Sequence, residues 1–220
     1  FGWSWPSKST CRGTTPVDFN AIPVSAIKRI EVLRDGAGAQ YGSDAVAGVI
    51  NIILDDRAEG GAIEASYGLH HTDLAPIGRT LTDGQTAQLS AKVGTALGED
   101  GFLRLGVEFK ERSGTNRAGF DQVPPWDQTP ANLAVQGQRN YHMGDGDSRD
   151  INAWFNAEAP LGEAAAFYAF GTYNQRDTEG ANYFRYPDSS ANWPEVYPDG
   201  FRPVSVGENL DAGLVSGLRA

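Results

Sequence analysis

The sequence predicts a mainly β protein: a short N-terminal α/β segment, then antiparallel up-and-down strands of a large, incomplete transmembrane β-barrel. Three observations predict this class. Hydrophobic and polar residues alternate with period two after residue 60, 27 glycines favour tight turns, and the connections between the alternating segments are sorted into short and long. With 40% hydrophobic and 21% charged residues, the composition is that of a folded chain.

The bulk composition excludes several classes of protein. A formal net charge of -10, without a block of Lys or Arg, argues against a nucleic-acid partner. Cys11 is the only cysteine, so an internal disulfide or a cysteine metal cluster is impossible. Residues 1–6 lack the basic start and apolar run of a signal peptide. No stretch reaches the roughly 18 apolar residues of a membrane helix, whereas barrel strands need only one apolar face.

The first quarter of the chain reads as a loop followed by a compact α/β segment. Residues 1–21 are rich in Pro, Ser, Thr and Gly. A short helix is predicted over Val24–Lys28 and an alternating strand over Arg29–Arg34. Val49–Leu54 is a dense apolar run, typical of a strand that is covered on both faces. We therefore expect a first domain over residues 1–57.

The remaining residues, 58–220, are predicted to form the barrel strands. Each run is close to the roughly 9–11 residues that a tilted strand needs to cross a bilayer. A sixth segment, 165–174, is aromatic on both faces and alternates less cleanly. The clear runs of alternation are 63–70, 86–93, 103–110, 151–158 and 210–219.

The connections give the predicted strands an orientation. Links 98–101 and 162–164 are tight, whereas 117–149 and 177–206 are long, polar and rich in Pro, Gly and aromatic residues. The intermediate link Thr72–Gly84 falls on the long side. Short periplasmic turns and long extracellular loops are the pattern of an outer-membrane barrel, and a soluble sandwich has no reason to sort its loops in this way.

One motif carries a family resemblance. Residues 27–53 read IKRIEVLRDGAGAQYGSDAVAGVINII. This resembles the end of the plug domain in TonB-dependent receptors, roughly IERIEVLRGPxSxLYGxxAxGGVINIIT. The departures are Lys28 for an acid, Asp-Gly for Gly-Pro at 35–36, and Ala47 for Gly. The residues taken as the plug motif are Arg29, Glu31, Arg34, Asp35, Gly36, Tyr41, Gly42, Gly48 and Asn51.

The charges of this motif have two interpretations. They can pair with lumen-facing barrel residues, such as Glu64 or Lys92. They can also be solvated or paired within the plug, which we favour for any single charge because exposed ion pairs are common and weak.

The resemblance implies active uptake through the bacterial outer membrane. A scarce small molecule (siderophore-bound iron, a carbohydrate or a cobalamin-like compound) binds on the extracellular side, and a TonB-type protein pulls on an N-terminal box that is absent from this chain. Outer-membrane lipid surrounds the barrel. No bond of the ligand is broken, so no enzyme activity, catalytic residue or cofactor is expected. Family barrels have about 22 strands, against roughly six here, so we expect a fragment truncated at both ends.

Aromatic side chains in the long loops are candidate ligand contacts. Trp126 and Tyr141 lie in one loop, and Tyr183, Tyr186 and Trp193 lie in the other. Stacking faces suit a flat or amphipathic ligand, although loop packing is the favoured interpretation for any individual residue.

The sequence predicts no metal site. His70 and His71 are adjacent in a predicted strand, so their side chains point to opposite faces and cannot bind one metal. Two alternative functions remain open: a soluble or secreted β-rich module that binds a ligand such as a carbohydrate, and an outer-membrane receptor of the same family that signals.

Overall fold

The computed structural model describes residues 22–34, 48–122, 125 and 127–220. Within these residues the chain forms two antiparallel sheets. The small sheet pairs β1 (Ile27–Leu33) with β2 (Val49–Leu54). The helical elements are 3₁₀ turns at Val24–Ala26 and Ala75–Ile77 and helix α1 (Pro130–Val135). The large sheet has the order β3 (Gly61–Leu74), β4 (Arg79–Leu97), β5 (Gly101–Arg112), β6 (Asp147–Pro160), β7 (Ala166–Ala181) and β8 (Val204–Arg219).

The large sheet confirms the predicted up-and-down arrangement. Each strand is antiparallel to the next, and the register runs without a shift from β4 to β8. All five alternating segments lie in strands, and the aromatic segment forms most of β7. The strands have 12 to 19 residues, so each is long enough to cross a bilayer.

The two faces of the large sheet invert the burial pattern of a soluble protein. On the outer face, apolar side chains such as Ile63 (79% exposed) and Leu214 (71% exposed) are open. The inner face, which carries the small sheet, buries Arg104, Glu108 and Asp150 at 5% exposure or less. Polar side chains inside and apolar side chains outside are the arrangement of a barrel wall between a polar lumen and lipid.

The links between strands agree with the prediction in part. The β4–β5 and β6–β7 links are tight, as expected. The long links span 113–146 and 182–203. At three of their four ends the flanking strand continues into the predicted loop, and at the fourth the link begins earlier than predicted. The intermediate link predicted at Thr72–Gly84 is wrong. There β3 and β4 stay paired up to Leu74 and Arg79, because alternation is not needed where a strand rises beyond the apolar belt.

The small sheet is less covered than predicted. The prediction that β2 is covered on both faces is wrong for Ile50, which is 56% exposed. A cavity of about 540 Å³ lies between β2 and the inner face and is lined by Ile52, Leu54, Tyr168 and Phe170 among others, so β2 packs incompletely against the large sheet. The helix predicted over Val24–Lys28 is a 3₁₀ turn, because Ile27 already pairs with Leu54 in β1. Among the described residues, no helix is long and apolar enough to span a membrane.

Candidate functional site

The small sheet is attached to the inner face of the large sheet at two neighbouring points. The first is Ser25, in the 3₁₀ turn before β1. Its N–H donates to Glu108 Oε2 (3.2 Å), its carbonyl accepts from Lys92 Nζ (3.1 Å), and its Oγ accepts from Trp154 Nε1 (3.0 Å). Three successive strands, β4, β5 and β6, therefore hold one residue. We call these four residues the Ser25 clasp.

The register of the large sheet explains how the clasp forms. Lys92, Gly106 and Trp154 are partners across β4, β5 and β6 on the inner face. The Trp154 ring lies directly over Gly106, where an added Cβ would stand 2.4 Å from the ring. Glycine at this position thus allows the indole to lie flat and reach Ser25. Trp154 is 4% exposed and Glu108 is 5% exposed, so water competes little for either group.

The second point is Asp55, which follows β2 and is 2% exposed. Its carboxylate accepts from Arg57 Nε (3.0 Å) and Nη2 (2.8 Å), and lies 3.3 Å from Arg104 Nε and 3.4 Å from Lys92 Nζ. The contact with Arg104 Nε is an ion pair without hydrogen-bond alignment. The Asp55 carbonyl also accepts from Asn156 Nδ2 (3.1 Å). We call Asp55, Arg57, Lys92 and Arg104 the Asp55 cluster.

The electrostatics of this cluster favour the charged carboxylate. Hydrogen bonds from Arg57 hold the pKa of Asp55 well below its usual range, and the charge of Arg104 adds to this, although burial opposes it. Arg104 is 1% exposed, and its Nη1 donates to the Gly60 carbonyl (2.6 Å). A buried guanidinium with this carboxylate beside it depends on Asp55 for its charge balance. Lys92 serves both attachment points.

Two charged residues of the plug motif, Arg29 and Glu31, lie in β1 and pair with residues of the small sheet. Arg29 Nε donates to Glu31 Oε1 (2.7 Å), and Asn51 Nδ2 donates to Glu31 Oε2 (3.2 Å). The hydrogen bond from Arg29 lowers the pKa of Glu31. These pairs support the interpretation of charges paired within the plug, and the proposed partner Lys92 binds Ser25 and Asp55 instead. Arg34 is exposed.

Gly48 is the motif residue whose identity the backbone explains. Its φ is +133°, and an added Cβ would stand 2.5 Å from the Leu33 carbonyl oxygen. A glycine is therefore required where the chain enters β2. Four other motif residues lie outside the described residues: Asp35, Gly36, Tyr41 and Gly42.

Of the aromatic candidates, two meet and two stay exposed. The hydroxyl oxygens of Tyr141 and Tyr186 lie 3.4 Å apart, so their loops touch. Tyr183 and Trp193 are 81% and 64% exposed and remain open to a ligand. Trp126 lies outside the described residues.

The two long loops are joined by a polar network. The Tyr186 hydroxyl donates to the Asp121 carboxylate, and both burial and this contact raise the pKa of Tyr186. Asp121 is 2% exposed and also accepts from Asn140 Nδ2 (3.1 Å). The Asp188 N–H donates to Asn132 Oδ1 (2.9 Å) in α1. Tyr186 therefore has a structural role in addition to any contact with a ligand.

Sequence reasoning missed most of the junction. Ser25, Asp55, Arg104, Glu108 and Trp154 were not singled out. The sequence did contain a signal for this junction. In the predicted strands, charged residues and a tryptophan occupy the positions that alternate with the apolar side chains, and small residues lie beside them on the same face. Among the described residues, no group of three or more His, Cys, Asp or Glu is placed to hold a metal ion.

Comparison with known proteins is consistent with this geometry. A family model described as TonB-dependent Receptor Plug Domain matches residues 5–49. The chain is 30% identical over 171 residues to the Vitamin B12 transporter BtuB of Vibrio vulnificus (strain CMCP6), covering 76% of this chain and 23% of that protein. It is 31% identical over 130 residues to the protein of the same name from Photobacterium profundum, covering 58% and 19%.

A third relative, the Vitamin B12 transporter BtuB of Vibrio cholerae serotype O1 (strain M66-2), is 34% identical over 100 residues, covering 46% of this chain and 14% of that protein. The chain thus spans less than a quarter of the length of these relatives. No solved structure matches.

Proposed function

Because this chain belongs to the TonB-dependent receptor family, we propose that the protein containing it actively imports a scarce ligand across the bacterial outer membrane. The observation that carries the proposal is the inverted burial of the large sheet. An outer face with Ile63 79% exposed and an inner face with Arg104 1% exposed suit a wall between lipid and a polar lumen. The same pattern argues against a soluble binding module, which would bury its apolar face.

In this proposal the two sheets belong to two domains with different roles. Residues 1–57 would end the plug, and residues 58–220 would begin the barrel. The Asp55 cluster lies at the boundary and ties the two together. The long links 113–146 and 182–203 would face the outside of the cell, and the tight links would face the periplasm. A TonB-type protein would pull on the chain that precedes the plug.

For the ligand, a cobalamin is the first candidate, since the relatives named above are described as vitamin B12 transporters. Siderophore-bound iron and carbohydrates remain the alternatives. The exposed rings of Tyr183 and Trp193 would supply stacking faces for any of these ligands. Tyr141 and Tyr186 would hold the loops in place and border the same mouth.

Uptake by cells tests the proposal. The intact protein is expressed in a strain that lacks its own importer, and accumulation of radiolabelled cyanocobalamin, a ferric siderophore and a maltooligosaccharide is measured with and without an uncoupler. We expect accumulation of one ligand class that the uncoupler abolishes. Accumulation that persists without the proton-motive force would contradict active import. Trp193→Ala should weaken binding of that ligand, whereas Leu133→Ala, at an exposed position in helix α1, should not.

A further inference from the structure

The two ends of the small sheet lie side by side, and this determines how it responds to a pull. Ile27 and Leu54 are register partners, and the Asp55 N–H donates to the Ala26 carbonyl (2.8 Å). A force on the chain before Ile27, resisted at Asp55, would load the cross-strand hydrogen bonds one pair at a time. When the hydrogen-bonded pairs open one after another, each pair bears the whole force in turn. The small sheet alone is therefore mechanically weak under such a pull.

The Ser25 clasp stands upstream of that weak element. A pull that travels along the chain from the N-terminal side reaches Ser25 before it reaches β1. There it meets three hydrogen bonds from three strands, two of which involve the charged side chains of Lys92 and Glu108. As long as these bonds hold, the force passes into the large sheet and β1 carries none of it.

We propose that the Ser25 clasp is a mechanical stop, so that energised transport displaces chain upstream of Ser25 while the small sheet stays on the inner face. This inference rests on the proposed function, because it requires a partner that pulls from the N-terminal side. The Asp55 cluster holds the other end of the small sheet in place. The displaced length of plug is thereby limited by Lys92, Glu108 and Trp154.

Single-molecule pulling on the intact protein in a bilayer tests the stop without any ligand. Opening the chain between Ser25 and Asp55 releases about 30 residues, or about 100 Å. The wild type should show this step as a separate, late event. The double variant Glu108→Ala/Trp154→Phe should shorten the waiting time for the step by about tenfold or more at constant force. Gln88→Ala, an inner-face control on β4, should leave the waiting time unchanged. A wild type that releases the 100 Å together with the upstream chain would overturn the proposal.

A disulfide across the small sheet tests the same idea during transport. Val32 and Ile50 are register partners, and such pairs have Cα separations that a disulfide can bridge. In a Cys11→Ser background, Val32→Cys/Ile50→Cys should take up radiolabelled cyanocobalamin equally well when oxidised and when reduced. Uptake that is lost on oxidation and restored by dithiothreitol would show that the small sheet must open. If the wild type takes up no ligand while the pulling result stands, the proposed function fails and the stop does not.

Discussion

Replacing Asp55 with Asn removes one negative charge from the junction without changing the shape of the side chain. Asp55 is 2% exposed, and the side chain of Arg104 beside it is 1% exposed. The substitution leaves Arg104 buried, with the carbonyl oxygens of Glu59 and Gly60 as its remaining hydrogen-bond acceptors among the described residues. Arg57 loses its partner as well, but its side chain is 61% exposed and water replaces the contact.

The magnitude follows from the burial of Arg104. Breaking a buried ion pair by removing one partner costs about 3–5 kcal/mol. Because the bond from Arg104 Nη1 to Gly60 survives, we expect the lower end, about 3 kcal/mol, in the free energy of opening the small sheet. That corresponds to about a hundredfold faster hydrogen exchange at amides of β1 and β2, since about 1.4 kcal/mol is a factor of ten.

Hydrogen exchange followed by mass spectrometry on the intact protein in detergent measures this effect. Asp56→Asn is the matched control, because Asp56 pairs with Lys28 where both side chains are about 40% exposed (40% and 41%) and such a pair contributes about 0–1 kcal/mol. Equal exchange in the Asp55 and Asp56 variants would refute the reasoning that the junction depends on a buried charge pair.

Three further predictions concern pH, packing and the loops. The pKa of Asp55 is lower in the folded than in the unfolded state, so its contribution to stability is complete above the ordinary carboxyl pKa and is lost only as pH falls through the lowered value. The protection of β1 and β2 amides from hydrogen exchange should therefore be constant from about pH 8 to about 5. A loss of protection centred above about pH 5 would contradict this. Gly106→Ala should displace the Trp154 ring at a cost of about 1–3 kcal/mol, visible as a shift in tryptophan fluorescence and faster exchange in β1. Tyr186→Phe should loosen the loop network by about 1–3 kcal/mol and speed proteolysis within 113–146, whereas Tyr183→Phe should not; equal cleavage rates would exclude the network.

The large sheet was predictable because membrane strands obey a simple rule. Lipid on one side and a polar lumen on the other require apolar and polar side chains to alternate along each strand. A run such as 103–110 therefore predicts both the strand and which of its side chains face outward. The rule ends where the strands leave the apolar belt. Thr72 and Asp73 pair with β4 although both are polar, which is why the link there was predicted too long.

The junction was less predictable, because it depends on contacts between residues distant in sequence. Trp154 donates to Ser25 across 129 positions, and the Asn156 amide reaches the Asp55 carbonyl across 101 positions. Alternation places both wall side chains on the inner face but does not say what they meet. The motif itself marked the small sheet correctly, yet its Arg29 and Glu31 pair with each other, and Asp55, just past the motif, makes the attachment.

Spin-label accessibility in liposomes decides whether the large sheet is a membrane wall. Labels placed singly at Leu89 and Val107, on the outer face, should collide with oxygen dissolved in the bilayer and be shielded from a water-soluble nickel chelate. Labels at Ser90 and Asn152, on the inner face, should be shielded from the oxygen in the acyl chains. The oxygen collision rate should therefore fall from residue 89 to residue 90, because Ser90 is buried on the inner face. Nickel access at Leu89 and Val107 equal to that of a free loop position would contradict a lipid-facing surface.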